Sequence, residues 1–400
     1  MTLHRAVIVG ASHAGAQLAA SLRQEGWDGE IVLVGNESAA PYQRPPLSKA
    51  YLAGNCAVDK LAIRSAEFYT QLRIEVLDAT VEAIDRAAGH LSLSTGEVLP
   101  YDRLALCTGA RPRRLSTPGA DLAGVFYLRT AADVEMIRDA TRPGRRAVII
   151  GGGYIGLETA ASLRALGLEV TVLEATERVL ERVTAPEVSA FFDRIHREAG
   201  VNIQTGARVE ALSGDGKVGE VVLAGGESIS ADLVIVGIGV EPNTELAAAA
   251  GLVVDNGVVI DDQAQTSDSA IMAAGDCVSH DMARYGRRIR LESVPSAAEQ
   301  AKVAAATLCG KSKKISALPW FWSDQYDLKL QIAGLNTGYD EVVLSGDPTR
   351  DRDFTCFYLR AGELIAADCI NRPRDFMFSK RVITQQVPVE RAELMLAGSV

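Results

Sequence analysis

Three glycines, Gly151, Gly153 and Gly156, stand in GxGxxG spacing between an apolar run and a stretch with helical periodicity. In such a turn the first glycine allows the bend, the second lets a pyrophosphate approach the backbone, and the third lets helix and strand pack closely. The phosphates lie at the helix N-terminus, where unpaired N–H groups favour negative charge. Glu174 ends the next apolar run, where a ribose-binding carboxylate is expected. The pattern predicts a dinucleotide site.

The acidic residue also bears on the choice of nucleotide. A carboxylate at this point can accept both adenosine ribose hydroxyls of NADH, and it would repel the 2′-phosphate of NADPH. Ala175 and Thr176 follow Glu174, where an NADPH site favours arginine, although Arg178 is close. We therefore expect NADH.

A divergent copy of the same pattern begins the chain. Gly10, Ser12 and Gly15 follow a short apolar run, and Glu37 follows the next run as the ribose candidate. The serine crowds the pyrophosphate slightly, but its hydroxyl could donate to a phosphate oxygen. A protein that takes electrons from one dinucleotide and holds them on another needs two such turns. The second dinucleotide is then a flavin, which accepts a hydride and can release electrons singly.

The elements that must position these turns can be traced along the chain. Strands are predicted at 7–10 and 31–34 with a helix at 14–24 between them, and a second strand–turn–helix–strand unit begins at Arg146. A meander of short strands follows each unit, so the chain contains one internal repeat. Beyond about 315, alternating residues predict antiparallel strands, and a final helix is predicted around 389–396. The fold class is α/β, with two Rossmann-like dinucleotide-binding domains and a C-terminal α+β domain.

We expect the first dinucleotide-binding domain at 1–110 and 236–315, the second at 111–235, and the α+β domain at 316–400. Composition fits a globular protein, with 48% hydrophobic and 23% charged residues. The formal net charge of −10 argues against a nucleic-acid partner. We see neither a signal peptide nor an apolar run of the ~20 residues that a membrane span needs, and we expect a cytoplasmic protein.

The whole chain resembles a known family, the FAD-dependent, NADH-using ferredoxin reductases of bacterial oxygenase systems, which have the glutathione-reductase-like flavoprotein fold. The resemblance is carried by "VIVGASHAG", "PYQRPPLSK", "YDRLALCTGARPR", "VIIGGGYIGLE", "GIGVEPN", "IMAAGDC", "RLESV" and "PWFWSDQYDLKLQIAG". It implies that NADH reduces FAD and that the electrons leave singly to an acidic 2Fe-2S ferredoxin. The ferredoxin would serve a haem-thiolate monooxygenase or a Rieske dioxygenase.

The resemblance also assigns site residues. Those implied for FAD are Gly10, Ser12, His13, Ala14, Gly15, Glu37, Arg44, Lys49, Val81, Thr108, Gly109, Arg111, Asp276, Val294 and Trp322. Those implied for NADH are Gly151, Gly153, Tyr154, Ile155, Gly156, Glu158, Glu174 and Gly239. A lysine and a glutamate at the positions of Lys49 and Glu158 pair beside the flavin N5 in this family, and we expect them to act in catalysis here. The family's usual residues after "RLESV" are replaced by Pro295 and Ser296.

The cysteines exclude one kind of electron transfer. Disulphide reductases with this fold carry a redox-active pair as CxxxxC or CxxC, and neither spacing occurs here. No cysteine precedes Lys49, where a thiol-dependent oxidase would carry one. The histidines show no metal-ligand spacing, so we predict no metal site. The cysteines are Cys56, Cys107, Cys277, Cys309, Cys356 and Cys369.

A basic surface would attract an acidic ferredoxin. The candidate cations are Arg64, Arg73, Arg284, Arg287, Arg288, Arg290, Lys311, Lys313, Lys314, Lys380 and Arg381. Other functions stay open at this point. They are reduction of rubredoxin, ascorbyl radical or oxygen, and a redox-responsive signalling role without turnover.

Overall fold

The computed structural model describes residues 4–37 and 40–396. The chain divides into two compact units. The first comprises Met1–Gln43, Asp59–Arg111 and Glu241–Pro319. The second comprises Arg44–Val58, Pro112–Val240 and Trp320–Val400. The ligand-based domain bounds expected from the sequence stay a prediction.

The first unit is built on a parallel sheet. Its strands are, in spatial order, Ile271–Ala273, Arg103–Leu106, Arg5–Val9, Glu30–Gly35 and Ile74–Asp78. The helices His13–Glu25 and Val294–Leu308 pack against each other and against these strands. Burial by helices explains why the central strands read as continuous runs of Val, Ile and Leu rather than alternating ones.

The second unit repeats this construction. Its parallel sheet has the spatial order Asn202–Gln204, Glu169–Leu173, Arg146–Ile150, Leu233–Val236 and Val125–Tyr127. The accompanying helices are Ala131–Ala140, Tyr154–Ala165 and Pro186–Glu198. The sequence-predicted order of strand, glycine turn, helix and strand is therefore found twice.

The two meanders are also alike in detail. One has the strands Val81–Asp85, His90–Leu93 and Val98–Pro100, and the other has Val209–Ser213, Glu220–Leu223 and Ser228–Ser230. Each first strand has its register shift directly after its first residue, at Val81 in one copy and Val209 in the other. A shared bulge at an equivalent position supports the internal repeat.

The C-terminal part of the second unit is an antiparallel sheet, as predicted. Its spatial order is Trp320–Gln325, Leu328–Gly334, Glu363–Ile370, Phe354–Arg360 and Glu341–Ser345. Phe354 packs on Phe191 of helix Pro186–Glu198, and the next residue, Thr355, donates to Asp375 of helix Pro373–Gln385. Helices on both faces explain why Phe354–Arg360 is buried along most of its length.

The helix Pro373–Gln385 was not predicted, whereas the final helix was, and it is observed at Arg391–Leu396. Helix Pro373–Gln385 could have been found from the proline at its start and from its buried residues at helical spacing, Phe376, Ser379 and Ile383. In the described residues, no helix is long and apolar enough to cross a bilayer. The predicted α/β class is confirmed.

The remaining elements are short. The strands are Ala110–Pro112, Val240–Pro242, Val258–Ile260, Val278–Met282 and Arg287–Ile289. The helices are Ala66–Gln71 and Glu245–Ala249, with 3-10 turns at Pro45–Ser48, Val58–Leu61 and Ala283–Tyr285.

Candidate functional site

The second glycine turn separates packing glycines from a ligand-facing one. Gly151 has φ 111°, and a Cβ on it would lie 2.4 Å from the Gly237 carbonyl oxygen. A Cβ on Gly156 would lie 2.1 Å from the Gly151 oxygen. Gly153, which caps helix Tyr154–Ala165, has no atom within 4 Å of a built Cβ. The space before this helix N-terminus can therefore admit a pyrophosphate, and the turn fits the nucleotide that the sequence implies.

Glu174 is fixed against this turn. Its Oε2 accepts from the Gly152 backbone N–H at 2.7 Å, and its Oε1 accepts from the Thr176 N–H at 2.8 Å. The Thr176 hydroxyl also donates to Oε1, at 2.9 Å, so the lone pair left for a ribose hydroxyl is on Oε2. The Arg178 guanidinium donates to the Ser189 hydroxyl and, at 3.0 Å, to the Glu181 carbonyl. Arg178 is thus already engaged with protein acceptors.

The first glycine turn has the same geometry. Gly10 has φ 112°, and a Cβ on it would lie 2.1 Å from the Cys107 carbonyl oxygen. Ser12 is the N-cap residue of helix His13–Glu25. A Cβ on Gly275 would come within 3.0 Å of the Ala14 Cβ, so the loop that carries Asp276 abuts this helix start. The structure therefore brings the N-terminal turn and Asp276 together.

The loop from Thr108 to Arg111 is held by a neighbouring loop of the first unit. The Thr108 hydroxyl donates to the Asn243 carbonyl at 2.7 Å, and the Asn243 amide returns a bond to the Thr108 carbonyl at 2.8 Å. Arg111 forms ion pairs with Glu241 at 2.8 Å and Glu245 at 2.7 Å. The loop predicted to close over FAD is thus rigidly anchored.

Other predicted FAD residues of the first unit have clear local roles. Glu37 accepts a hydrogen bond from the Tyr42 hydroxyl, and Val81 is buried in the core. Val294 begins its helix, and Pro295 stands in the first turn, where a missing N–H costs nothing. The Ser293 hydroxyl caps the helix by accepting from the Ser296 N–H at 3.3 Å. Pro295 and Ser296 are therefore compatible with the first turn of this helix.

In the second unit, Lys49 and Glu158 are in contact. Glu158 lies one turn inside the helix that begins at the second glycine turn, and it is 4% exposed. Lys49 Nζ is 2.7 Å from Glu158 Oε2 and donates to the Pro45 carbonyl at 3.1 Å. The 3-10 turn Pro45–Ser48 presents the lysine, and the Ser162 hydroxyl on the same helix donates to the Ser48 carbonyl at 2.7 Å. The sequence-predicted pair exists, and its role stays a prediction.

Two serines around Glu158 were missed by the sequence analysis. Ser48 donates to Oε2 at 2.5 Å, and Ser323 donates to Oε1 at 2.6 Å. Both belong to quoted motifs, "PPLSK" and "FWSDQ", yet spacing alone does not show that they meet. The buried Glu158 carboxylate therefore accepts hydrogen bonds from one ammonium and two hydroxyl groups.

Tyr154 and Asp368 form a second buried polar group in this unit. The Tyr154 ring stacks on Phe321 at 5.0 Å, and burial, followed by the charges of Asp368 and Glu158, raises the pKa of Tyr154. The Tyr358 hydroxyl donates to Asp368 Oδ2 at 2.5 Å. Burial raises the pKa of Asp368 to about 7. Neither Asp368 nor Tyr358 was predicted.

The remaining predicted residues of the second unit are Arg44, Ile155, Trp322 and Gly239. Arg44 donates to the Arg129 carbonyl at 2.9 Å. Ile155 is 42% exposed, and Trp322 is partly exposed, with its ring 5.6 Å from that of Trp320. Gly239 has φ 97°, a conformation that favours glycine.

The cysteines are all reduced and mostly inert. Cys107, Cys277, Cys356 and Cys369 are buried, and burial raises the pKa of each of these thiols. A buried thiol with a raised pKa is a poor nucleophile. Within residues 4–37 and 40–396, no group of three or more His, Cys, Asp or Glu side chains could hold a metal ion.

At least four of the eleven predicted basic candidates are ion-paired in the described part of the chain. Arg288 pairs with Asp281 at 3.0 Å, Arg290 with Glu292 at 2.6 Å, and Lys314 with Asp262 at 2.6 Å. Lys311 pairs with Glu25 at 2.8 Å. Lys380 instead lies over the rings of Trp320 and Phe376, at 5.1 and 5.3 Å. A run of arginines in the sequence is therefore not equivalent to a free positive surface.

Comparison with known proteins places the chain in a family. Residues 4–301 match the pyridine nucleotide-disulphide oxidoreductase family, and residues 320–397 match the Reductase C-terminal family. The chain is 49% identical to putidaredoxin reductase of Pseudomonas putida, over 96% of this chain and 92% of that protein. It is 43% identical to a ferredoxin–NAD(P)+ reductase of a Sphingomonas species, over 97% of this chain and 95% of that protein.

It is also 40% identical to a rubredoxin–NAD+ reductase of Pseudomonas putida, over 92% of this chain and 96% of that protein. The crystal structure of a covalent putidaredoxin reductase–putidaredoxin complex matches with a TM-score of 0.95 and 47% identity, covering 98% of this chain and 95% of that chain. The predicted flavoprotein fold, with FAD and a pyridine nucleotide as cofactors, is confirmed. The chain belongs to the pyridine nucleotide-disulphide oxidoreductase family.

Proposed function

We propose that this chain is an NADH-dependent flavoprotein reductase that passes single electrons to a 2Fe-2S ferredoxin of an oxygenase system. FAD, when bound, accepts a hydride from NADH and releases its two electrons one at a time. The observation that carries the proposal is the ion pair between Lys49 and the buried Glu158, which lies on the helix that begins at the second glycine turn. We place the reaction in the cytoplasm.

The second unit supplies the groups that bind NADH. The open space in front of Gly153 receives the pyrophosphate, which accepts from the backbone N–H groups of the helix start. Glu174, held by Gly152 and Thr176, accepts from an adenosine ribose hydroxyl through Oε2. Because Arg178 is engaged by Ser189 and Glu181, it does not compensate a 2′-phosphate. This arrangement supports NADH over NADPH.

The first unit supplies most of the groups assigned to FAD. Gly10, Ser12 and Gly15 form the turn at the start of helix His13–Glu25, and the Asp276 loop lies against that turn. The loop that contains Thr108 is anchored through Asn243. These contacts support the predicted roles.

Lys49 carries a positive charge at a position that is mostly shielded from solvent. Two of its three N–H donors are directed at Glu158 and Pro45, and the side chain is 18% exposed. The third donor is available to an anionic or polar ligand group. Glu158 fixes the lysine ammonium in place, so its charge is already oriented before a ligand binds.

Electrons leave without passing through protein sulfur. In the described residues no disulphide is formed, and the buried thiols have raised pKa values. The acceptor is therefore external. Relatives named for putidaredoxin and for ferredoxin are 49% and 43% identical, and one named for rubredoxin is 40% identical. The ranking favours a 2Fe-2S ferredoxin and leaves rubredoxin as the second candidate.

Anaerobic stopped-flow mixing tests the first half of the reaction. We expect NADH to bleach the flavin absorbance rapidly and NADPH to do so slowly. Alkylating the accessible thiols beforehand should leave the rate unchanged. Slow bleaching that ends in a long-lived charge-transfer species would favour a signalling role and would refute the proposal.

Turnover with purified acceptors tests the second half. Cognate 2Fe-2S ferredoxin, rubredoxin and oxygen are compared at several ionic strengths. We expect ferredoxin to give the highest kcat/KM, with a decline as salt rises, because charge complementarity accelerates association. Equal rates with all three acceptors would leave only the NADH-oxidising half of the proposal.

A further inference from the structure

A line of hydrogen-bonded side chains runs through the second unit to Glu158. It begins at Tyr326, whose hydroxyl is 3.1 Å from His196 Nδ1. His196 Nε2 is 2.8 Å from Gln325 Oε1, and Gln325 Nε2 donates to the Ser323 hydroxyl at 3.1 Å. Ser323 then donates to Glu158 Oε1 at 2.6 Å. We call these four residues, Tyr326, His196, Gln325 and Ser323, the Glu158 chain.

The direction of every bond follows from the carboxylate end. A carboxylate only accepts, so Ser323 must donate its single proton to Glu158, and its oxygen accepts from Gln325. Gln325 then presents its NH2 group to Ser323 and its carbonyl to His196. His196 must carry its proton on Nε2, which leaves Nδ1 to accept from the Tyr326 hydroxyl. All donors point toward Glu158.

The interior of the chain is closed to solvent. His196 is 0% exposed, and Gln325 and Ser323 are each 1% exposed. Burial lowers the pKa of His196, in agreement with a neutral ring. Buried polar side chains are costly unless each one is satisfied, and here each satisfies the next. Tyr326, 39% exposed, adopts φ 56° in the turn between two strands and packs its ring on His196 at 5.0 Å.

We propose that the Glu158 chain positions the Glu158 carboxylate for the reaction with NADH, and that Tyr326, His196, Gln325 and Ser323 are positioning residues. The chain fixes Oε1, so that Oε2 remains directed at Lys49. A glutamine amide does not readily relay a proton, so the chain orients and polarises the carboxylate rather than conducting protons. This inference rests on the proposed function.

The tautomer of His196 gives a readout that is independent of turnover. In ¹⁵N NMR spectra of the holoprotein, we expect His196 to be protonated at Nε2 and not at Nδ1. Tyr326→Phe should shift the Nδ1 resonance, because it removes the one donor to that nitrogen and keeps the ring. A His196 ring protonated at Nδ1 would overturn the assigned direction, and with it the proposal.

Transient kinetics give the functional readout. We expect Ser323→Ala to lower the rate constant of flavin reduction about tenfold, with the Kd of NADH changed less than about twofold, because one hydrogen bond to a charged group is lost. Tyr326→Phe should lower it less, and Ser323→Thr should restore it. The control is Asp327→Asn. Asp327 lies in the same turn and pairs with Arg352, and neither residue belongs to the Glu158 chain. This variant should reduce flavin like the wild type.

The outcomes separate the two proposals. A wild-type protein that NADH fails to reduce would refute the proposed function. A wild type that NADH reduces, together with Ser323→Ala and Tyr326→Phe variants that melt earlier but react at the wild-type rate, would refute the positioning role alone. In that case the chain would serve only to stabilise the unit.

Discussion

Lys49 Nζ lies 2.7 Å from Glu158 Oε2, and the glutamate is 4% exposed. Glu158 lies on the helix Tyr154–Ala165, and Lys49 directly follows the 3-10 turn Pro45–Ser48 beside it. A buried pair contributes little net stability when intact, since the Coulomb attraction offsets the cost of desolvation. Breaking it is costly, because one charge then stays buried alone.

A double-mutant cycle tests what the pair does. We expect Lys49→Met to lower the free energy of unfolding by about 3–5 kcal/mol, since Glu158 keeps its buried charge. Glu158→Gln should cost less, because the amide oxygen still accepts from Ser323, the NH2 group can donate to the Ser48 hydroxyl, and the lysine can turn to solvent. The double variant should recover stability but not the rate of flavin reduction. Urea unfolding and stopped-flow rates check this. A double variant that recovers both would show that the pair is only structural.

Glu174 should determine which nucleotide is used. Glu174→Gln keeps an acceptor for the Gly152 N–H and removes the charge. We expect kcat/KM for NADH to fall about tenfold, because a hydrogen bond to a charged group is weakened by roughly 1.5 kcal/mol. The value for NADPH should rise. Steady-state kinetics with both nucleotides measure this, with the exposed neighbour changed in Glu177→Ala as the control. An unchanged NADH to NADPH ratio in Glu174→Gln would contradict the assignment.

The two roles of glycine in the second turn can be separated. A Cβ on Gly153 meets no protein atom within 4 Å, whereas one on Gly156 would lie 2.1 Å from the Gly151 oxygen. Gly153→Ala should therefore leave the free energy of unfolding within about 0.5 kcal/mol of the wild type while weakening NADH binding. Gly156→Ala should lower the melting temperature. Calorimetric titration with NADH and thermal unfolding make the comparison, and equal NADH affinity in Gly153→Ala would refute the pyrophosphate contact.

The burial of Asp368 should make the stability of the protein depend on pH. Burial raises its folded-state pKa to about 7, above the ordinary value of 3.8. Between these values the folded state binds more protons than the unfolded state, so stability falls as pH rises, by at most about 1.4 kcal/mol per pH unit. Asp368→Asn cannot ionise, and its side-chain oxygen still accepts from Tyr358. Its free energy of unfolding should therefore rise relative to that of the wild type as pH increases through this window. Denaturant unfolding at several pH values tests it, with exposed Asp121→Asn as control. Parallel wild-type and Asp368→Asn curves would contradict it.

Part of the fold and of the candidate site could be predicted from the sequence because it depends on local chemistry. A glycine at position 151 or 10 is required by the turn itself, and Glu174 follows its strand directly. The two strand–turn–helix units and the antiparallel C-terminal strands were predicted from periodicity alone. The contact between Lys49 and Glu158 was predicted only from the family resemblance, since neither residue is distinctive by its spacing.

The surroundings of Glu158 could not be predicted from spacing. Ser48 reaches it from a 3-10 turn, and Ser323 from the antiparallel sheet. Helix Pro186–Glu198 adds His196 to the same network through Gln325. The sequence records which residues are polar, but not which of them are buried against each other.

The sequence by itself determined the fold class, the two glycine turns, the acid proposed to select the nucleotide and the absence of a cysteine pair. Only the tertiary structure decided that arginines such as Arg288 are neutralised by ion pairs, that Asp368 is buried, and that a polar chain ends on Glu158. The physical reason is the distance along the chain over which each kind of interaction acts. Backbone sterics and periodicity act between neighbours in sequence, whereas burial, ion pairing and the direction of hydrogen bonds depend on segments that meet only when the chain folds.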